Sequence, residues 1–185
     1  MLIWMANQQH LYFGSFVLAV PIFCMLIEFV GIRSRESDPV MGAKYDALAK
    51  DLMKVSLTAY SWTAILGGIL LFTFITLFPG FFKYMATIFR PVMHVYALMF
   101  LAESGILYVY YYGWDRMNDG GFLKWIHCSI SVLLNLVGTV LMYLANSWAT
   151  FMQAPGGIDE QGRFLGNIWH VIHSTLWNPV GVHRI

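Results

Sequence analysis

Glu103 stands at the middle of an apolar run, residues 91–113, long enough to cross a bilayer. A charge at the bilayer centre costs about 2.5–3.5 kcal/mol on insertion scales, so such a residue usually faces a protected interior and often serves ion or proton chemistry. Thirteen residues later, just outside the run, Arg116 closes the tetrad Gly113-Trp114-Asp115-Arg116. A carboxylate within the span and a short polar signature at its end point toward redox work in a helical bundle.

The six histidines sort by depth along the apolar runs. His10 opens the first run, and His94 lies four residues into the third, which starts on the same side. His127 is at the opposite end of the fourth, while His170, His173 and His183 are in the tail. Haem iron in a bundle is commonly held by histidines projecting from facing helices. His10 and His94 share a depth, so a haem between the first and third spans is geometrically possible. Plainer roles compete with each assignment. A histidine near the interface also serves as an amphipathic anchor, and Glu103 also fits a hydrogen-bonded structural acid. His170 and His173 share a helix face but lack a third metal ligand. Glu28, near the inner end of the first run, can reach water and needs no special role. Cys24 and Cys128, the only cysteines, are too dispersed for a disulfide framework and read as small packing residues.

These residues need helices in lipid to position them. The chain of 185 residues is 58% hydrophobic and 11% charged, against about 25% charged in a soluble domain. The net charge of +1 says little about partners, and no basic patch is dense enough to suggest nucleic acid. Residues 1–9 carry no Lys or Arg and no small-residue cleavage site follows, so the first run is expected to stay as a transmembrane helix. Four stretches reach the roughly 20 apolar residues that a bilayer core requires: residues 10–31, 55–77, 91–113 and 125–148. The fold predicted is all-α, a single membrane domain of four transmembrane helices in a bundle, with short interfacial helices. Pro21 should kink the first helix, and Gly67, Gly68 and Gly138 should admit close neighbours.

Charge sets the orientation. Seven of the basic residues fall in the connections at 32–54 and 114–124, and four in the connection between the second and third spans and in the tail. Basic residues favour the cytoplasm, which puts both termini outside. Asp38-Pro39 reads as a helix start. An Asp46–Lys50 pair at i,i+4 spacing suits an amphipathic extension of the second span. Residues 81–90 read as an interfacial helix on the outer side. Leu165, Ile168, Trp169, Ile172 and Leu176 predict a second one in the tail (149–185), after the turn at Ala154-Pro155-Gly156-Gly157.

Taken together, four stretches resemble the N-terminal half of the large subunit of cytochrome bd quinol oxidases. His10-Leu11-Tyr12-Phe13, running to Ile27-Glu28, resembles that family's first helix. Glu103-Ser104 followed by Gly113-Trp114-Asp115-Arg116 resembles its Glu-Ser helix. Ala145-Asn146-Ser147-Trp148 with Met152-Gln153-Ala154-Pro155-Gly156 is similar to its Ala-Asn-x-Trp-Met-Gln-x-Pro stretch, with a short insertion. Trp177-Asn178-Pro179-Val180 is similar to the segment before its fifth helix.

The resemblance implies His10 as an axial haem ligand, Glu103 as a proton or haem-site carboxylate, and Trp114 and Arg116 as cofactor-binding residues. It also marks a departure. The family's glutamate one or two turns before the Glu-Ser pair is missing, and the neighbourhood reads Pro91-Val92-Met93-His94-Val95. His94 could supply a second imidazole instead, closing the iron to oxygen and suiting electron transfer. The expectation is a subunit carrying haem b rather than haem d, in a larger bd-like complex of a prokaryotic inner membrane. Another membrane subunit is expected to supply the second half, and quinone or cytochrome c to exchange electrons. The alternatives are a haem-free membrane scaffold and one half of a split quinol oxidase.

Overall fold

The computed structural model describes residues 1–118 and 121–184. Four long helices dominate: α1 (Leu2–Ser34), α2 (Pro39–Leu77), α3 (Pro79–Tyr112) and α4 (Phe122–Gln153), followed by α5 (Ile168–Ile172) and α6 (Trp177–Arg184). All four long helices are apolar and long enough to cross a membrane, and among the described residues the only β pairing is an isolated bridge between Ile158 and Phe164. This is an all-α integral membrane protein. The shortest of the four, α4, has 32 residues. At about 1.5 Å per residue it measures about 48 Å, well beyond a hydrocarbon core of about 30 Å. Each helix therefore extends past its apolar run, α1 and α4 at both ends and α2 and α3 on the N-terminal side.

Local chemistry explains the boundaries. Asp38 Oδ1 accepts from the backbone N–H groups of Val40 and Met41, both at 3.0 Å, capping two donors that have no intrahelical partner. Pro39, in the first turn, has no N–H to lose. From there α2 runs unbroken through the amphipathic stretch into the second span, as the sequence suggests. Residues 81–90, expected to form a separate interfacial helix, instead belong to α3, which continues through Pro91. Proline removes a single backbone donor, which membrane helices tolerate, and no turn chemistry interrupts the segment. Likewise α1 continues through Pro21.

The tail differs from expectation. The helix predicted from Leu165 to Leu176 is confined to Ile168–Ile172, because the Asn167 side chain caps it by accepting from Trp169 N–H at 3.0 Å. A second short helix, α6, follows, with Pro179 in its first turn, where proline is tolerated.

The chain forms two compact units. The first comprises Met1–Thr73 and Glu103–Leu136. Within it α1 and α2 approach closely at two glycines. A β-carbon on Gly42 would stand 2.9 Å from the Gly31 carbonyl oxygen, and one on Gly31 would stand 3.1 Å from Tyr45 Cβ. Gly68, expected to admit a neighbour, has nothing within 4 Å. The second unit comprises Phe74–Ala102 and the chain from Val137 onward. Met85, Ile88, Phe89, Val92, Phe151, Val171 and Ile172 form its core. Phe89 meets Phe151 edge-on at 5.3 Å, a favoured aromatic geometry. Trp177 Nε1 donates to the Tyr143 carbonyl at 2.8 Å, which ties α6 to α4.

Candidate functional site

His10 projects from α1 toward α2 within the first unit. Its Nδ1 lies 2.9 Å from the backbone carbonyl oxygen of Thr63. A carbonyl only accepts, so Nδ1 must carry the proton, and Nε2 keeps its lone pair. The ring rests over Gly67, one turn further along α2. A β-carbon there would stand 3.0 Å from His10 Cε1 and 3.4 Å from Nδ1, so the missing side chain is what makes room for the imidazole. Nearby, Phe13 stacks on Trp62 across the same pair of helices, with centroids 6.4 Å apart. Fixing one ring nitrogen with a backbone carbonyl orients a metal-binding imidazole and sets its tautomer. The half-buried His10 thus fits an axial haem ligand. Among the described residues no group of three or more His, Cys, Asp or Glu could hold a bare metal ion. Haem iron needs no such cluster, because the macrocycle supplies its equatorial ligands.

Glu103, on the α3 segment of the same unit, is 5% exposed. Among the described residues its carboxyl has no hydrogen-bond or ion-pair partner. The adjacent Ser104 hydroxyl bonds to that of Tyr60 on α2. His94 lies on the part of α3 that belongs to the second unit, where it is exposed. Arg116 is exposed, whereas Trp114 is buried at 1%.

Trp114 belongs to a buried polar cluster in the first unit, at the end where α1 finishes and α4 starts. Its indole Nε1 donates to Asp46 Oδ2 at 3.1 Å, and Lys124 Nζ stands 4.8 Å above its ring. Lys124, 2% exposed, is paired with two carboxylates, Glu28 Oε1 at 2.7 Å and Asp46. The Tyr110 hydroxyl donates to Glu28 Oε2 at 2.7 Å. His127 contacts Glu28 Oε1 through Nδ1 and the Tyr110 carbonyl through Nε2, the latter at 2.8 Å. Asn118 donates to Asp46 Oδ2 at 2.6 Å and accepts from Arg35 at 2.7 Å. The cluster joins the C-terminal part of α1, the start of α2, the end of α3 and the start of α4.

Most of this cluster escapes a linear reading. Glu28 reads as a water-reaching end residue, yet it is fully buried. Asp46 is not the partner of Lys50. It faces inward with Gly42, Ala49 and Met53, and Lys50 pairs instead with Asp115 at 2.6 Å. Spacing of i,i+4 permits a pair but does not say which side of the helix is buried. Depth was the available signal, since Glu28, Asp46, Lys124 and His127 all lie near the same ends of their apolar runs.

The family model described as cytochrome bd terminal oxidase subunit I matches residues 3–185. No curated protein matches the chain.

Proposed function

Because the chain belongs to the cytochrome bd terminal oxidase subunit I family, haem-binding subunits of multi-subunit membrane oxidases, we propose that it is a haem-b-binding electron-transfer subunit of a larger respiratory complex. The observation that carries this reading is His10, with Nδ1 tied to the Thr63 carbonyl at 2.9 Å, its ring seated on Gly67, and Nε2 left to bind. Haem b, when bound, supplies one-electron chemistry at iron. The residues of this chain hold and tune it. His10 would ligate the iron through Nε2, and the exposed imidazole of His94 is this chain's other candidate iron ligand. Two imidazoles would close the iron to oxygen, which suits electron transfer. Glu103, buried without a charge partner, is the group that would hold or pass a proton. Trp114 and Arg116 are the further candidates for contact with the cofactor.

Between 11% and 33% of the apolar window of each long helix is buried within the chain. The rest must meet lipid or other membrane subunits, and the multi-subunit nature of the family favours such partners. The proposed location is a prokaryotic inner membrane with both termini outside, on the strength of the basic-residue bias.

Haem content of the purified complex tests the reading. His10→Ala should lose one haem or convert it to a high-spin form. Unchanged haem content and spin state would refute His10 as a ligand.

A further inference from the structure

The polar cluster around Glu28 lies eighteen residues along α1 from His10, about 27 Å at helical rise, and of its members the redox reading uses only Trp114. Its hydrogen bonds contain an imbalance. His127 Nε2 is 2.8 Å from the Tyr110 carbonyl oxygen, which only accepts, so Nε2 carries a proton. A neutral imidazole has one N–H, and that one is already committed. Yet Nδ1 faces Glu28 Oε1, an acceptor when ionised. The contact requires one more proton, on Nδ1 or on Oε1.

No neighbour removes that requirement. Glu28 Oε2 already accepts from the Tyr110 hydroxyl at 2.7 Å, and Oε1 is also paired with Lys124 at 2.7 Å. Both partners bring protons toward the carboxylate and take none away. We propose that Glu28 and His127 form a proton-binding site in which a single proton bridges α1 and α4.

The surrounding charges make this proton exchangeable. The charged groups around the pair are the carboxylate of Asp46 on α2 and the cations Lys124 on α4 and Arg35 at the end of α1. The remaining titratable side chains close to Glu28 are Tyr110 on α3, Cys24 on α1 and Cys128 on α4. Glu28 and Asp46 as carboxylates balance Lys124 and Arg35 as cations. The bridging proton therefore adds net positive charge to a buried site, which burial opposes. Unmet hydrogen bonding asks for it, since a buried polar group without a partner is also costly. Two opposing demands suit a proton that binds and leaves rather than a permanent ion pair. Polar contacts lead from Glu28 through Lys124 and Asp46 toward Asn118 and Arg35, whose side chain is 22% exposed. The site would thus exchange protons with the inner face.

Histidine ring NMR on the full chain, with its co-purifying subunits in lipid nanodiscs, tests the proposal. His127-Cys128 is the only His-Cys dipeptide in the chain, so carbonyl-¹³C histidine with ¹⁵N cysteine identifies it. The expected result is a protonated Nε2 together with one strongly hydrogen-bonded bridging proton, found on Nδ1 or on the Glu28 carboxyl. That proton should be lost as pH rises while the Tyr110 contact persists. Glu28→Gln should abolish it and leave a neutral imidazole with Nε2 protonated. A wild-type His127 with no bridging proton at any pH at which the protein is folded would overturn the proposal. So would a bridging proton that never leaves across that range, or one unchanged in Glu28→Gln. If that variant does not fold, the wild-type titration decides alone.

Discussion

Replacing Gly67 by valine would set a β-carbon 3.0 Å from His10 Cε1, closer than packed carbon atoms tolerate without displacement. The imidazole would have to leave its seat and its bond to the Thr63 carbonyl. Gly67→Val should therefore reduce haem retention or shift the spin state, while Gly68→Val, which meets nothing within 4 Å, should leave both unchanged. Optical spectra of the two purified variants make the comparison. Lys124 offers a second test at this scale. Lys124→Met removes the cation shared by Glu28 and Asp46 and leaves two buried carboxylates facing each other. Breaking a buried pair in this way costs about 3–5 kcal/mol, and thermal unfolding in detergent should show the loss. Asp159, in the tail loop outside the spans, is held below the usual carboxylate range by the Arg163 backbone N–H, helped by the Arg163 side chain and the Gln161 N–H and opposed by desolvation. A depressed carboxyl stabilises the loop fully above its unfolded value, about pH 4, and that contribution fades as pH falls through the lower folded value. The Arg163 side-chain N–H signal should stay ordered on acidification until then, and should be disordered at neutral pH in Asp159→Asn.

At the level of elements, the sequence shows most where a local signal and a periodic one coincide. Asp38-Pro39 opens α2 because a capping carboxylate and a first-turn proline fall together, and both act as expected. The four apolar runs are equally clear, since no other structure satisfies a backbone in lipid over that length. The boundaries that escape are those set by tertiary context. Nothing local ends a helix before Pro91, so residues 81–90 merge into α3. In the tail, the Asn167 side chain caps α5 later than apolar spacing alone suggests. The site divides in the same way. His10 and Glu103 are visible because their chemistry is unusual for their depth in an apolar run. Asp46, Lys124 and Glu28 look like ordinary charges beside a loop, and only the meeting of four helix ends reveals them as buried partners.

For the whole molecule, the basic-loop bias makes a specific statement about topology. Single cysteines at Ser34 and Asn118, placed in a variant lacking Cys24 and Cys128, should react with a membrane-impermeant thiol reagent only from the cytoplasmic face. One at Gly157 should react only from outside. Labelling of Ser34 from outside would reverse the orientation. The same scale carries the central claim, that this chain brings a haem b held by His10 to a larger membrane complex. Exposed apolar helix faces and family membership support association with other subunits, and the redox role stands or falls with the haem. The reduced-minus-oxidised visible spectrum of the mildly solubilised complex tests it most directly. A b-type band is expected in the wild-type complex, lost or shifted in His10→Ala with subunit composition unchanged. A complex with no haem band, or with the same band in both proteins, would contradict the account.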